Sequence, residues 1–129
     1  TNVVIPAALE MQIDEEEGEN MKCDVVVEGA NGPITEKGDV ILKRKGITVV
    51  PDILANSGGV VVSYYEWLQN RQDVTWEKQD VLDKLDGKMA ECYKKVNEIA
   101  EKHECTMREA SYIYSLKSIE GVYKHRGLE

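Results

Sequence analysis

Residues 47–68 read ITVVPDILANSGGVVVSYYEWL. Ile47 to Val50 is a short β-branched apolar run, the pattern of a buried strand. Pro51-Asp52 ends it and can open a helix, since proline is tolerated in a first helical turn and aspartate caps well. Ala-Asn-Ser-Gly-Gly then leads into a long apolar and aromatic helix. If that helix is continuous, Asn56, Val60, Ser63 and Trp67 share one face. An amide, nearby glycines and a hydroxyl make a poor core stripe. They suit a wall for a polar ligand, because glycine lets backbone approach a bound group closely. The competing explanation is tight strand-to-helix packing.

Upstream, Val3 to Ile5 reads as a first strand, and Pro6-Ala7-Ala8-Leu9 leaves it. Asp14 and Glu17 have the spacing of a capping box, so a short helix opens at 14–17. Asp24 to Val27 is a second strand, followed by the sharp loop Glu28-Gly-Ala-Asn-Gly-Pro33. Thr35 caps a helix over roughly 36–45, which Gly38 weakens by up to about 1 kcal/mol relative to alanine. Lys37, Lys43 and Lys45 fall on its solvated face. Continuous apolar strands alternating with helices point to a parallel sheet covered on both faces. The loops after Ile5, Val27 and Val50 then share the carboxyl edge, where such sheets bind ligands.

The chain has 129 residues, 42% hydrophobic and without Phe, enough for one domain with a core. A formal net charge of −8 argues against nucleic acid or an anionic membrane as partner. No apolar run approaches the roughly 20 residues of a membrane span, and no signal peptide opens the chain. Cys23, Cys92 and Cys105 are odd in number and lack CxxC spacing, as expected of reduced thiols in a cytoplasmic protein. His103-Glu-Cys105 has no second ligand pair, so no metal site is expected. Residue 1 is Thr and a strand is already under way at Val3, so the chain reads as the later part of something longer. Leu128-Glu129 reads as a scar before a purification tag.

From residue 70 the pattern changes: Asn70 to Val74 reads as a polar connection, and two helices follow. Thr75 can cap a helix to about Lys102 with the stripe Val81, Leu85, Met89, Cys92, Val96, Ile99 and His103. Thr106 and Glu109 form a second capping box, opening a final helix to about Lys124 with Tyr112, Leu116, Ile119 and Tyr123 on one side. Nothing in 70–129 suggests chemistry. The expected division is 1–70 for the half-sheet and 71–129 for helices packing on it. There is no GxGxxG, phosphate loop, HExxH or GxSxG, and no evident general base, with Asp52 read as a cap. The residues alone describe a ligand wall without catalytic groups.

Three strings carry a resemblance: IPAALE (5–10), VVVEGANGPIT (25–35) and VVPDILANSGGVVVSYYEW (49–67). They resemble the glutamate, leucine, phenylalanine and valine dehydrogenases, its glutamate-specific members most. TMREASYIYSLKSIEGVYKHRG is similar to that family's closing helix, so the resemblance covers nearly the whole chain. It implies an α/β fold, the later half of a Rossmann-like parallel sheet with three strands, followed by two long helices. It implies NAD or NADP as coenzyme. Ala7, Ala8, Gly29, Ala30, Asn31 and Asn56 would lie along the coenzyme, and Asn56, Val60 and Ser63 would line the amino-acid pocket. Ser63 would hydrogen-bond the glutamate side-chain carboxylate. Two departures are small: Gly38 replaces a better helix former, and Met11 stands where a polar residue is common.

The implied reaction is oxidative deamination of L-glutamate to 2-oxoglutarate and ammonia. Hydride passes to the nicotinamide and water attacks the resulting imine. In that family the catalytic Lys and Asp, and the residues that choose between NAD and NADP, lie upstream. The chain alone is then expected to be inactive, and its parent to be a homo-hexamer. Two alternatives remain beside this. One is a stand-alone binding or interaction module, disfavoured because a three-stranded sheet without neighbours exposes its edges. The other is a dehydrogenase of apolar amino acids, disfavoured by Ser63 and the Asn-Gly-Pro loop.

Overall fold

A computed structural model describes residues 1–127, so the expected tag scar at 128–129 lies outside the described residues. Strands β1 (Val3–Val4), β2 (Val25–Val27) and β3 (Thr48–Val50) form one parallel sheet in the order β1-β2-β3. Val3 pairs with Val25, and Val26 with Val49. Each strand is shorter than the apolar run that marked it. Ile5 and Asp24 fall outside the ladder, and Ile47 is buried just before it. Helices α1 (Glu15–Asn20) and α2 (Glu36–Arg44) follow β1 and β2. After β3 come α3 (Asp52–Ala55), α4 (Gly58–Gln72), α5 (Lys78–His103) and α6 (Met107–His125).

The sheet has a core on each face, as alternate strand residues require. Val49 packs into a cluster of Ile13, Val26, Ile34, Leu42 and Ile47, whereas Val50 packs into one of Leu54, Val96, Met107 and Ala110. Val26 and Leu42 are fully buried; each such side chain contributes about 1.5–3 kcal/mol of hydrophobic free energy. The first cluster lies under α2, the second under α3, α5 and α6. No described helix is long and apolar enough to cross a membrane.

Several expectations are corrected. Residues 52–72 are not one helix: the chain breaks at Asn56-Ser57, and the Ser57 hydroxyl donates to the Leu54 carbonyl at 2.8 Å. Thr75 does not cap α5, which starts at Lys78 after Glu77. The Trp76 N–H instead donates to Gln69 Oε1 at 2.6 Å, and its ring meets Tyr65 at 5.7 Å, drawing this connection back onto α4. Val81 to Ile99 form the packed stripe of α5, but His103 is exposed. On α6 the side that packs is Met107, Ala110, Ser111 and Tyr114, and the side carrying Tyr112, Leu116, Ile119 and Tyr123 is left open, each of the four more than half exposed. Small Ala110 and Ser111 let the helix approach the sheet closely. Lys45 is exposed, as expected, but its Nζ is not idle: it donates to the carbonyls of Gly18, Glu19 and Met21 at the end of α1. A cation satisfying terminal helix carbonyls complements the dipole. Lys43 lines a cavity of about 280 Å³ between α2 and the start of α6.

Gly38 is no blemish on α2. A Cβ there would lie 2.3 Å from the Ile13 carbonyl oxygen, so only glycine lets the helix pass residues 11–13. Ile13 and Ile34 form a parallel bridge at this crossing.

Candidate functional site

All three strands run the same way, so the loops leaving β1, β2 and β3 gather at one edge. They enclose an open cleft of about 810 Å³. Ala8, Leu9 and Glu10 line it from the first loop, Gly29, Ala30 and Asn31 from the second. Asn56, Gly59, Val60 and Ser63 line it from the turn after α3 and the first turns of α4. The cleft therefore brings together seven of the eight site residues expected from sequence. Ala7 is exposed but outside the lining, its Cβ 3.0 Å from where a Cβ on Gly29 would sit. That closeness keeps Gly29 without a side chain and lets the first two loops touch. Trp67 is also outside the lining, stacked on Tyr64 at 5.8 Å with the Arg71 guanidinium 5.4 Å from its ring.

The loops are tied to one another. The Ala30 N–H donates to the Pro6 carbonyl at 2.9 Å, and the Met11 N–H to the Gly32 carbonyl at 2.8 Å, joining the first loop to the second. The Gly32 N–H donates to Asp52 Oδ2 at 2.8 Å, and Asn56 Nδ2 to Asn31 Oδ1 at 2.6 Å, joining the second to the third. Gly32 has φ +52°, a left-handed conformation that glycine adopts without strain. The break at Asn56-Ser57 turns the Asn56 amide toward Asn31 while Val60 and Ser63 stay on the cleft side of α4. Leu9, Glu10 and Gly59 complete the lining and were not singled out from sequence. Glu10 is its one charged residue.

Asp52 is not the cap of α3. It is the first helical residue after Pro51, and its N–H donates to Glu28 Oε2 at 2.7 Å. Glu28 is fully buried, and a buried carboxylate persists as an anion only when paired and hydrogen-bonded. Its partner is Arg108, the second residue of α6, with Nη1 3.0 Å from Oε2 and Nη2 2.8 Å from Oε1. Arg108 also reaches Asp39 at 3.3 Å and Asp52 at 3.5 Å. Burial pushes this guanidinium down, but hydrogen bonds and charge from Glu28 and Asp39 outweigh it and hold it above its ordinary value. The sequence reading missed this cluster because Glu28 and Arg108 lie far apart in the chain. One signal was available: an arginine in a first helical turn opposes the helix dipole and needs a carboxylate to hold it there.

Residues 1–127 match the model of the Glutamate/Leucine/Phenylalanine/Valine dehydrogenase family. The NAD-specific glutamate dehydrogenase of Peptoniphilus asaccharolyticus is 44% identical over 126 residues, which cover 98% of this chain and 30% of that protein. The crystal structure of glutamate dehydrogenase from that organism superposes with a TM-score of 0.93, over 97% of this chain and 32% of that one. The NAD-specific glutamate dehydrogenase of Clostridioides difficile is 42% identical, again over 98% of this chain and 30% of that protein. The hetero-hexameric glutamate dehydrogenase from Thermus thermophilus, in its Leu-bound form, is 27% identical with a TM-score of 0.91, over 99% of this chain and 31% of that one. The chain thus spans about 30% of the length of the curated relatives it matches.

Proposed function

The chain belongs to the Glutamate/Leucine/Phenylalanine/Valine dehydrogenase family, and from that premise we propose that it is a segment of a glutamate dehydrogenase, an enzyme that oxidatively deaminates L-glutamate to 2-oxoglutarate and ammonia with NAD or NADP. The observation that carries this is the convergence of three small-residue loops on one cleft, with Asn56, Val60 and Ser63 along its third wall. The residues present fit the nicotinamide end of a coenzyme. Ala8, Gly29, Ala30 and Gly59 place nothing larger than a methyl group along the edge, so a flat ring can lie against the loops. When bound, that ring supplies the hydride acceptor.

Within this function Asn56, fixed by Asn31, orients the groups that meet at the reacting carbon. Ser63 donates a hydrogen bond from its hydroxyl to the side-chain carboxylate of glutamate, and Val60 keeps water from the aliphatic part. We assign residues 1–70 to the second half of the coenzyme-binding domain and 71–129 to a C-terminal segment whose described helices pack on it, with the boundary falling inside α4 (Gly58–Gln72). The catalytic Lys and Asp belong to the rest of the longer protein, so this segment alone is one wall and turns over nothing. The names of the two bacterial relatives favour NAD. We place the enzyme in the cytoplasm, consistent with three unpaired cysteines, and assign it a hexamer.

The test follows reduction of NAD and NADP by the enzyme containing this chain, with glutamate, leucine, phenylalanine and valine as substrates. Turnover with glutamate alone supports the assignment. Turnover with an apolar amino acid keeps the family and overturns the role of Ser63. No turnover with any of the four overturns the activity.

A further inference from the structure

We propose that Arg108, on the opening turn of α6, is a positioning residue for the cleft, clamping Glu28 so that the loops bearing Asn31 and Asn56 keep their separation. This rests on the function proposed above for that cleft. Arg108 lines none of the cleft, and no part of α6 does. Its influence passes through two carboxylates.

The guanidinium grips both oxygens of Glu28, at 2.8 and 3.0 Å, a fork-to-fork geometry that fixes direction as well as distance. The same Glu28 Oε2 accepts the Asp52 N–H at 2.7 Å, so the arginine sets where α3 begins. Asp52 in turn accepts the Gly32 N–H at 2.8 Å. Gly32 follows Asn31, whose Oδ1 accepts from Asn56 Nδ2 at 2.6 Å. Each link joins a different pair of elements: α6 to the end of β2, that end to α3, and α3 back to the second loop. Without the cation, Glu28 is an uncompensated buried charge. Losing both guanidinium bonds frees the carboxylate to move, and that loosens its hold on the Asp52 N–H.

The variants are Arg108→Met, which removes the charge, and Arg108→Lys, which keeps it and loses the fork. Amide exchange at Asp52 and Gly32 is measured on the full chain, with Val26 as an internal reference. Kinetics are measured on the enzyme that contains it. Both amides should exchange about tenfold faster or more in Arg108→Met while Val26 is little changed. In the enzyme, kcat/KM for glutamate should fall about tenfold or more at a temperature well below unfolding. Arg108→Lys should lie between. Combining Arg108→Met with Asn56→Ala should be less than additive, because both act through one amide.

Unchanged exchange at Asp52 and Gly32 overturns the clamp whatever the activity. Faster exchange with unaltered kinetics, or full additivity with Asn56→Ala, shows that the clamp does not reach the cleft and also overturns it. If both variants fail to fold, Arg108 is a folding residue and the proposal falls. Should the unmodified enzyme not oxidise glutamate, the function proposed above fails, and the clamp stands or falls on the exchange result.

Discussion

Replacing Gly38 by alanine should destabilise the protein, although helix propensity alone predicts the reverse. Alanine in a helix interior is favoured over glycine by about 1 kcal/mol. Against that, the new Cβ would stand 2.3 Å from Ile13 O, where real contacts stay above 3.0 Å. The obstructing atom is backbone, so no side chain can rotate away. Ile13 O also accepts the Thr35 N–H at 3.0 Å, and the Gly38 N–H donates to the capping Thr35 hydroxyl at 3.1 Å. Relief therefore moves α2 off residues 11–13 and weakens one backbone bond and one cap, each worth about 1 kcal/mol. Forced overpacking adds about 1–3 kcal/mol. The net is a loss of about 2–4 kcal/mol, or about 7–15 °C in Tm for a chain of this size. Gly87 on α5 is the control: nothing lies within 4 Å of a Cβ there. Gly87→Ala should gain the full propensity term, about 1 kcal/mol. Thermal and urea unfolding followed by circular dichroism measures both. A Gly38→Ala protein as stable as Gly87→Ala would refute the close approach of α2 to Ile13.

Glu104 closes α5 at φ 51° and Met11 holds φ 53°, both left-handed. Glu104→Gly and Met11→Asn should each raise the unfolding free energy measured in urea by about 1 kcal/mol or somewhat less, and a fall in either case would contradict the strain assigned there. The Glu15 N–H and the Thr35 hydroxyl hold the Asp14 carboxyl below its ordinary 3.8, and the Thr106 N–H and hydroxyl hold Glu109 below 4.5. The unfolded chain then binds more protons in that range, so stability should fall as pH drops from about 4.5 through the lowered values. Glu109→Gln should flatten part of that acid limb, and an unchanged limb would remove its cap from the account. In the complete enzyme, Ser63→Val should lower kcat/KM for glutamate about 10–100-fold while leaving coenzyme KM within about twofold. Equal losses in both would argue against its role toward the substrate carboxylate. The isolated chain should bind NAD(H) weakly or not at all; tight binding in titration calorimetry would contradict a single-walled site.

What the sequence made legible is what short-range chemistry decides. Three β-branched runs, two capping boxes and the stripe from Val81 to Ile99 each depend on residues within a few turns of one another, and each forms as expected. The cleft was legible for a further reason. Parallel strands force the loops after them to one edge, so small residues at three strand ends meet without any knowledge of side-chain contacts. The failures are of two kinds. Where two local solutions compete, neighbours in space choose: Gln69 and Tyr65 hold Trp76 and delay α5 past Thr75. Likewise, α6 turns its small residues, not its large ones, to the sheet, since Ala110 at full burial lets Met107 reach Leu54 and Val96. Where a contact spans the chain, no local pattern records it, and Glu28 with Arg108 is that case.

The Arg108 cluster also changes how the two stretches of the chain relate. Read separately, residues 3–68 hold the cleft and 70–129 only cover a face. Yet the loop after β2 cannot keep a buried carboxylate without a cation, and the nearest cations in sequence, Lys22 and Lys37, are exposed. The charge that completes the β2 loop comes from the last helix. Arg108 can reach it because Met107 and Ala110 anchor the first turn of α6 in the second core. Packing in that core and the geometry of the cleft are therefore one constraint. A cavity made at Val96, which sits beside Met107 in the same cluster, should disturb Asn31 and Asn56 without touching either.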